Sequence, residues 1–219
     1  MNESRDKTAL IFSGGWEGHF PVETGRIFEE ALSDHDFLVQ HETSLEVLED
    51  HALLASLDLI CPNWTMGKLT ETQSQNLRDA VHSGTGLGGF HGGMGDAFRG
   101  DTEYEWMVGG HFVGHPHVGE YTVQRTSIQH PITEGFPDEQ PYNSEQYYLV
   151  TDPANEVLID STYVYEGKSC TMPVAWTKHW GAGRVFYSSL GHQPSEFTDF
   201  PAVKEMTVRG LLWASGAIE

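Results

Sequence analysis

The sequence predicts an α/β domain: a parallel sheet with helices on both faces and a β-rich insertion in its second half. Three observations predict it. From Lys7 to Phe90, short apolar runs alternate with amphipathic helical patterns, the signature of strands joined by helical crossovers. Beyond that, the pattern shifts to period-two alternation broken by tight turns. Third, 219 residues with 38% apolar and 11% aromatic content can bury one sizeable core, and no repeat or Pro- or Ser-rich linker divides the chain. Residues 1–219 are therefore expected to form a single domain.

Each element has its own signal. Lys7–Ser13 reads as a buried strand ending at Gly14-Gly15. Pro21 to Leu32 sets Val22, Phe28 and Leu32 among polar residues, an amphipathic helix with proline in its first turn. Phe37–Gln40 is the second strand, and Leu45–Leu54 fits no single pattern. Leu57–Cys61 is the third strand, with Pro62 as its expected stop. Thr70–His82 reads as a helix, with Thr70 and Gln73 spaced as a capping box and Gly84 past its end. Leu87–Phe90 is a Gly-rich fourth strand. Tyr121–Thr126, Gln146–Val150 and Val157–Asp160 follow as strands. Val174–Lys178 and Arg184–Ser189 form a hairpin around Gly181-Ala182-Gly183, and Pro201–Trp213 closes as a helix.

Charge excludes several partners. Twelve Lys and Arg face 32 Asp and Glu, a formal charge of -20 that repels phosphate backbones and anionic headgroups. Nucleic acid and membrane surfaces are thus not expected as partners. The polar start Met1–Lys7 and the short run Ala9–Phe12 suit neither a signal peptide nor a membrane span. Cys61 and Cys170 make no disulfide framework, so a reduced cytoplasmic setting is expected. Gly84–Gly89 lacks the Lys-Ser/Thr of a phosphate loop and enters a strand, so no nucleotide cofactor is expected.

Histidine is the unusual entry in the composition: 12, as many as Lys and Arg together. In open parallel sheets, ligands sit beyond the carboxyl ends of the strands. Four such ends carry Gly, His or Trp: Ser13–His19, Pro62-Asn63-Trp64, His91-Gly92-Gly93 and Gly191-His192. In Gly88-Gly89-Phe90-His91-Gly92-Gly93, small neighbours permit a sharp turn that projects one side chain, as in a nucleophile elbow. The projected residue is His91, suited to acid, base or metal-ligand chemistry; the bland alternative is an imidazole capping a backbone carbonyl. His111, His115 and His117 would share a face on an extended segment, or sit in a polar loop. Glu145 beside Tyr147 offers a carboxylate for a metal or an acid/base pair. Among Trp16, Trp64, Trp106 and Trp180, only Trp16 and Trp64 lie on strand-end loops, where they could stack on a sugar. Cys61 ends a buried strand and reads as core, while His35, His41, His51 and His179 read as surface residues.

These residues resemble the ThuA-like (trehalose utilisation) family. The segments that carry the resemblance are Gly14-Gly15 with His19-Phe20-Pro21, Gly86 to Gly93, Trp106 to Pro116, His130-Pro131-Ile132-Thr133, Glu145-Gln146-Tyr147, and Pro173 to His192. The resemblance implies a flavodoxin-like, class I glutamine amidotransferase-like fold and a place in the metabolism of trehalose or related, including oxidised, disaccharides. In true amidotransferases the elbow carries a catalytic Cys paired with a later His and Glu. Here the elbow holds His91, His192 matches the later His, and Glu196 is a loose counterpart of the acid, so Cys-dependent glutamine hydrolysis is not expected. The expected function is a sugar-modifying enzyme with His91, His192 and Glu145 as catalytic groups. Trp16, His19, Asn63, Trp64 and Tyr147 are expected to bind substrate. A divalent metal, zinc favoured, is expected on His91, His115 and His192. A non-catalytic sugar-binding module is the alternative, a glutaminase using Cys61 a distant third, and a homo-oligomer stays open.

Overall fold

Alternate residues of β1 (Lys7–Gly15) feed two separate cores. Ala9 and Ile11 pack with Phe28 and Leu32 of α1 (Pro21–Ser33) and with Leu211 of α7 (Pro201–Ala214). Leu10 and Phe12 pack with Leu77 and Val81 of α3 (Glu71–Ser83) and with Met107 of α5 (Thr102–Val108). A strand apolar on both faces must be covered on both, and the helices do this. In this computed structural model, which describes residues 6–219, the chain builds one nine-stranded sheet.

The sheet order is β2-β1-β3-β4-β9-β8-β7-β5-β6. β2 (Phe37–Glu42), β1, β3 (Leu59–Thr65), β4 (Gly86–Phe90) and β9 (Gly183–Ser188) run parallel. Between β4 and β9 in sequence come β5 (Gly110–Arg125), β6 (Glu139–Thr151), β7 (Glu156–Tyr165) and β8 (Lys168–Trp180). These four pair antiparallel and extend the sheet beyond β9. The β8–β9 hairpin turns at residues 181–182, as its glycines require.

The capping box at α3 is present in full: the Thr70 side chain accepts from Gln73 N–H, and Gln73 accepts from Thr70 N–H. The unassigned stretch after β2 becomes a 3-10 turn over Leu45–Glu49 followed by α2 (His51–Ser56).

Two expectations fail. β3 starts at Leu59 and runs through Pro62 to Thr65. Its pairing with β4 ends at Ile60↔Leu87, so from Cys61 onward only the β1 edge is bonded and a missing N–H costs little. The second failure is His41. Its side chain is 10% exposed and bridges two residues, Nε2 to Ser13 Oγ at 2.8 Å and Nδ1 to Glu29 Oε2 at 2.8 Å. No helix among the described residues is long and apolar enough to cross a membrane.

Candidate functional site: a histidine–carboxylate cluster at the strand ends

The site begins at a strained turn. β4 ends at Phe90, and His91 opens the short helix α4 (His91–Gly95) with φ 44°, a left-handed conformation costly for any residue with a Cβ. Packing holds it there. Tyr187 donates from its hydroxyl to the His91 carbonyl at 3.0 Å, and the ring is 2% exposed. Gly92 is required next to it, because a Cβ there would lie 2.3 Å from His19 Cε1.

Hydrogen bonds fix the His91 tautomer. Nδ1 lies 2.9 Å from the Ser189 carbonyl, which can only accept, so Nδ1 carries the proton. The Tyr147 hydroxyl lies 2.8 Å from Nε2, with the two rings tilted 4.3 Å apart. His192 Nδ1 stands 3.2 Å from the same nitrogen and Glu145 Oε2 3.4 Å from it. His192 Nδ1 is also 3.6 Å from Glu145 Oε2. His19 completes the group, its ring centroid 4.7 Å from His91 and 5.1 Å from His192, its Nδ1 2.7 Å from Thr65 Oγ1.

One ligand atom each from His19, His91, Glu145 and His192 lies within 4.8 Å of the others, so the cluster could hold a metal ion. The donors fit one. Imidazole nitrogens and a carboxylate oxygen are the ligand types a borderline divalent ion such as zinc takes. A ring nitrogen donating to a backbone carbonyl while its partner faces the cluster is the usual arrangement of a ligating histidine.

The electrostatics agree. Burial, with His91 and His192 nearby, holds the His19 imidazole down near pKa 3, so it is neutral at pH 7. Burial, then His91, also lowers His192. Burial pushes Glu145 up, but the hydrogen bond and charge of His91, with His192 and His115, outweigh it and hold the carboxyl near 2. Burial raises the Tyr147 hydroxyl far above its ordinary value, so it remains a proton donor. An ionised carboxylate beside the lowered imidazoles of His19 and His192 favours a cation over an anion.

The other expected residues are placed as follows. His115 Nε2 reaches Glu145 Oε1 at 3.6 Å but stands outside the four-residue group. Register shifts in β5 between Phe112 and Gly114, and between Gly114 and His117, break the shared face. His111 instead meets Glu105 at 3.4 Å, and His117 bonds the Glu120 carbonyl. Trp16 is 48% exposed and stands edge-on to His19 at 4.7 Å. Asn63 is 2% exposed, and its amide donates to Pro21 O, Thr24 Oγ1 and Ser13 Oγ, tying α1 to the sheet rather than facing the cluster. The Trp64 ring covers Gly14 and Gly67. Trp106 and Trp180 pack on one another, 5.3 Å apart. Burial pushes the Cys61 thiol up to about 12, which removes it as a nucleophile.

Glu196, the first residue of α6 (Glu196–Asp199), does not orient a ring. It accepts from Tyr142, from Ser144 Oγ at 2.8 Å and from the His192 backbone N–H at 3.0 Å, fixing the loop that carries His192. Sequence reasoning missed Thr65 and the Ser189 carbonyl. Thr65 follows Trp64 at an expected strand end, a signal that could have found it; a backbone carbonyl leaves none.

Fold and site together define an α/β protein with a histidine–carboxylate cluster at the carboxyl ends of its parallel strands. The chain belongs to the ThuA family, described as trehalose utilisation, whose sequence model matches residues 8–214. No curated protein matches it in sequence. A ThuA-like protein from Bacteroides uniformis shares its fold at TM-score 0.77 and 19% identity, over 98% of this chain and 93% of that one. A ThuA-like protein from Parabacteroides merdae matches at TM-score 0.77 and 16% identity, over 97% and 91%. The cytoplasmic protein STM1381 from Salmonella typhimurium matches at 0.68 and 13%, over 97% and 99%.

Proposed function

We propose that this protein is a metal-assisted enzyme acting on a small carbohydrate, with zinc held by His19, His91, His192 and Glu145. The observation that carries this reading is the convergence of three imidazoles and one carboxylate within 4.8 Å, in a family described as trehalose utilisation. Bound zinc would supply Lewis-acid polarisation of a sugar oxygen. The chain's own residues do the rest. Ser189 and Thr65 hold the His91 and His19 rings in register, and the Tyr147 hydroxyl, kept protonated by burial, is a hydrogen-bond donor beside the site. His115, beside Glu145 and with its side chain 44% exposed, is the group placed to carry protons between the site and solvent.

The strand order 2-1-3-4 followed by β9 supports a flavodoxin-like class for the parallel half, with β5–β8 read as an insertion and residues 1–219 as one domain. A cytoplasmic location rests on the family likeness and on the Salmonella protein's description. Metal content of untagged protein, measured by plasma emission, is expected to show about one zinc per chain. His91→Ala should remove the metal and all turnover of a panel of disaccharides and keto-sugars. Metal-free wild type with full turnover would sink the proposal; sugar binding without turnover would replace the enzyme with a binding module.

A further inference from the structure

Beside the cluster lies a cavity of about 540 Å³, within the ordinary range for a small-ligand site. Its walls are nearly all aromatic or apolar: Tyr147, Tyr148, Tyr163, Tyr165 and Met172, with His115 at one end. Strand geometry explains the wall. Tyr163 and Tyr165 are two apart on β7 and so share a face, and Tyr163 stands opposite Cys170 in the β7–β8 register. The cavity and the cluster are continuous through two residues. Tyr147 lines the cavity and its hydroxyl lies 2.8 Å from His91 Nε2, while His115 lines it and reaches Glu145 Oε1 at 3.6 Å.

We infer that this cleft is a subsite for a neutral, unphosphorylated sugar ring, holding the part of the substrate that does not react. The inference rests on the proposed carbohydrate function and adds where the sugar lies and which class it belongs to. Tyrosine presents an apolar face that stacks on the C–H face of a pyranose and a hydroxyl that bonds its rim. Tyr165 is 63% exposed and Tyr148 46%, large aromatic surface left facing solvent at the mouth. No Lys or Arg lines the cavity, so no permanent positive charge there compensates a phosphate or a uronate.

Cys170 supplies a readout independent of catalysis. It is exposed and lines the cleft, whereas Cys61, the second cysteine of the chain, is fully buried. The experiment measures the rate of Cys170 alkylation by iodoacetamide in zinc-supplemented protein, with trehalose, maltose or trehalose 6-phosphate added. The two neutral disaccharides are expected to slow alkylation, and trehalose 6-phosphate to do so at least tenfold less well. Tyr163→Ala and Tyr165→Ala should weaken protection about tenfold each while zinc binding, followed by calorimetry, is unchanged. Protection that survives both substitutions overturns the subsite, as does equal or better protection by the phosphorylated sugar, or none by any sugar. Absent zinc binding instead overturns the metal reading, and the alkylation result still decides the cleft.

Discussion

At the residue scale, connectivity and access must be separated. Ser13, His41 and Glu29 have the hydrogen-bond order of a serine-hydrolase triad: Oγ to Nε2, then Nδ1 to carboxylate, both 2.8 Å. Ser13 is nonetheless 1% exposed, and α1 lies over it so closely that a Cβ on Gly25 would come within 2.5 Å of its Oγ. Asn63 also donates to that oxygen at 3.2 Å. No carbonyl carbon can approach, so the trio ties β1, β2 and α1 together, and Asn63 joins β3 to them, rather than performing acyl transfer. Ser13 is therefore expected to be unreactive toward a fluorophosphonate probe. Ser13→Ala should lower stability by about 1–3 kcal/mol, because it takes the hydrogen-bond partner from His41 Nε2 and one of three acceptors from the Asn63 amide. Labelling of Ser13 in intact protein, seen by mass spectrometry, would contradict this. The same pair of facts explains why His41 looks like a surface residue in the sequence: its partners are 28 and 12 positions away on other elements.

At the scale of elements, what was legible depended on whether the signal is local. The Thr70–Gln73 capping box, the Gly-flanked elbow at His91 and the glycine turn before β9 are written in adjacent residues, and all three stand where the sequence puts them. That His19, and not His115, stands with His91, Glu145 and His192 in the four-residue cluster was not legible. It depends on two register shifts in β5, which are settled by pairing with β6 and leave no trace in the i, i+4, i+6 spacing. Pro62 misled for a related reason, since its tolerance depends on where the β4 neighbour ends. His130 offers an element-scale test. It precedes the 3-10 turn Pro131–Thr133, and its Nδ1 accepts from Ile132 N–H at 3.2 Å, which requires an unprotonated nitrogen. Burial, its largest influence, lowers this imidazole below 6.5. The unfolded chain therefore binds the proton more readily, and the stability this cap contributes is lost as pH falls through 6.5 toward the depressed value. His130→Asn keeps a capping acceptor without a titrating ring. Urea unfolding at pH 7.5 and pH 5.5 should show a smaller stability loss for the variant than for wild type; equal losses would assign the acid sensitivity elsewhere.

At the scale of the whole molecule, the cluster joins parts that are far apart in sequence. His19 follows β1, His91 follows β4, His192 follows β9, and Glu145 belongs to β6 at the far edge of the sheet. β6 is bonded in the sheet only to β5, so a metal bridging Glu145 to three parallel-strand ends would tie the antiparallel half to the parallel half. A chain of charge -20 also gains from a bound dication, which offsets part of its self-repulsion. Because a preformed site of four such ligands does not exist in the unfolded chain, metal affinity appears as folding stability. At a free zinc concentration one hundred times the dissociation constant, the gain is about 2.7 kcal/mol. For a domain of this size that corresponds to a rise in Tm of about 5–10 °C over protein treated with a chelator. His91→Ala and His192→Ala should each abolish the rise. Tyr165→Ala should retain it in full, since Tyr165 lines the neighbouring cleft and is not one of the four clustered residues. Scanning calorimetry with zinc and with chelator separates these cases. A wild-type Tm that does not move between the two conditions would mean the four residues hold no zinc, and a rise that persists in both histidine variants would place the ion elsewhere in the fold.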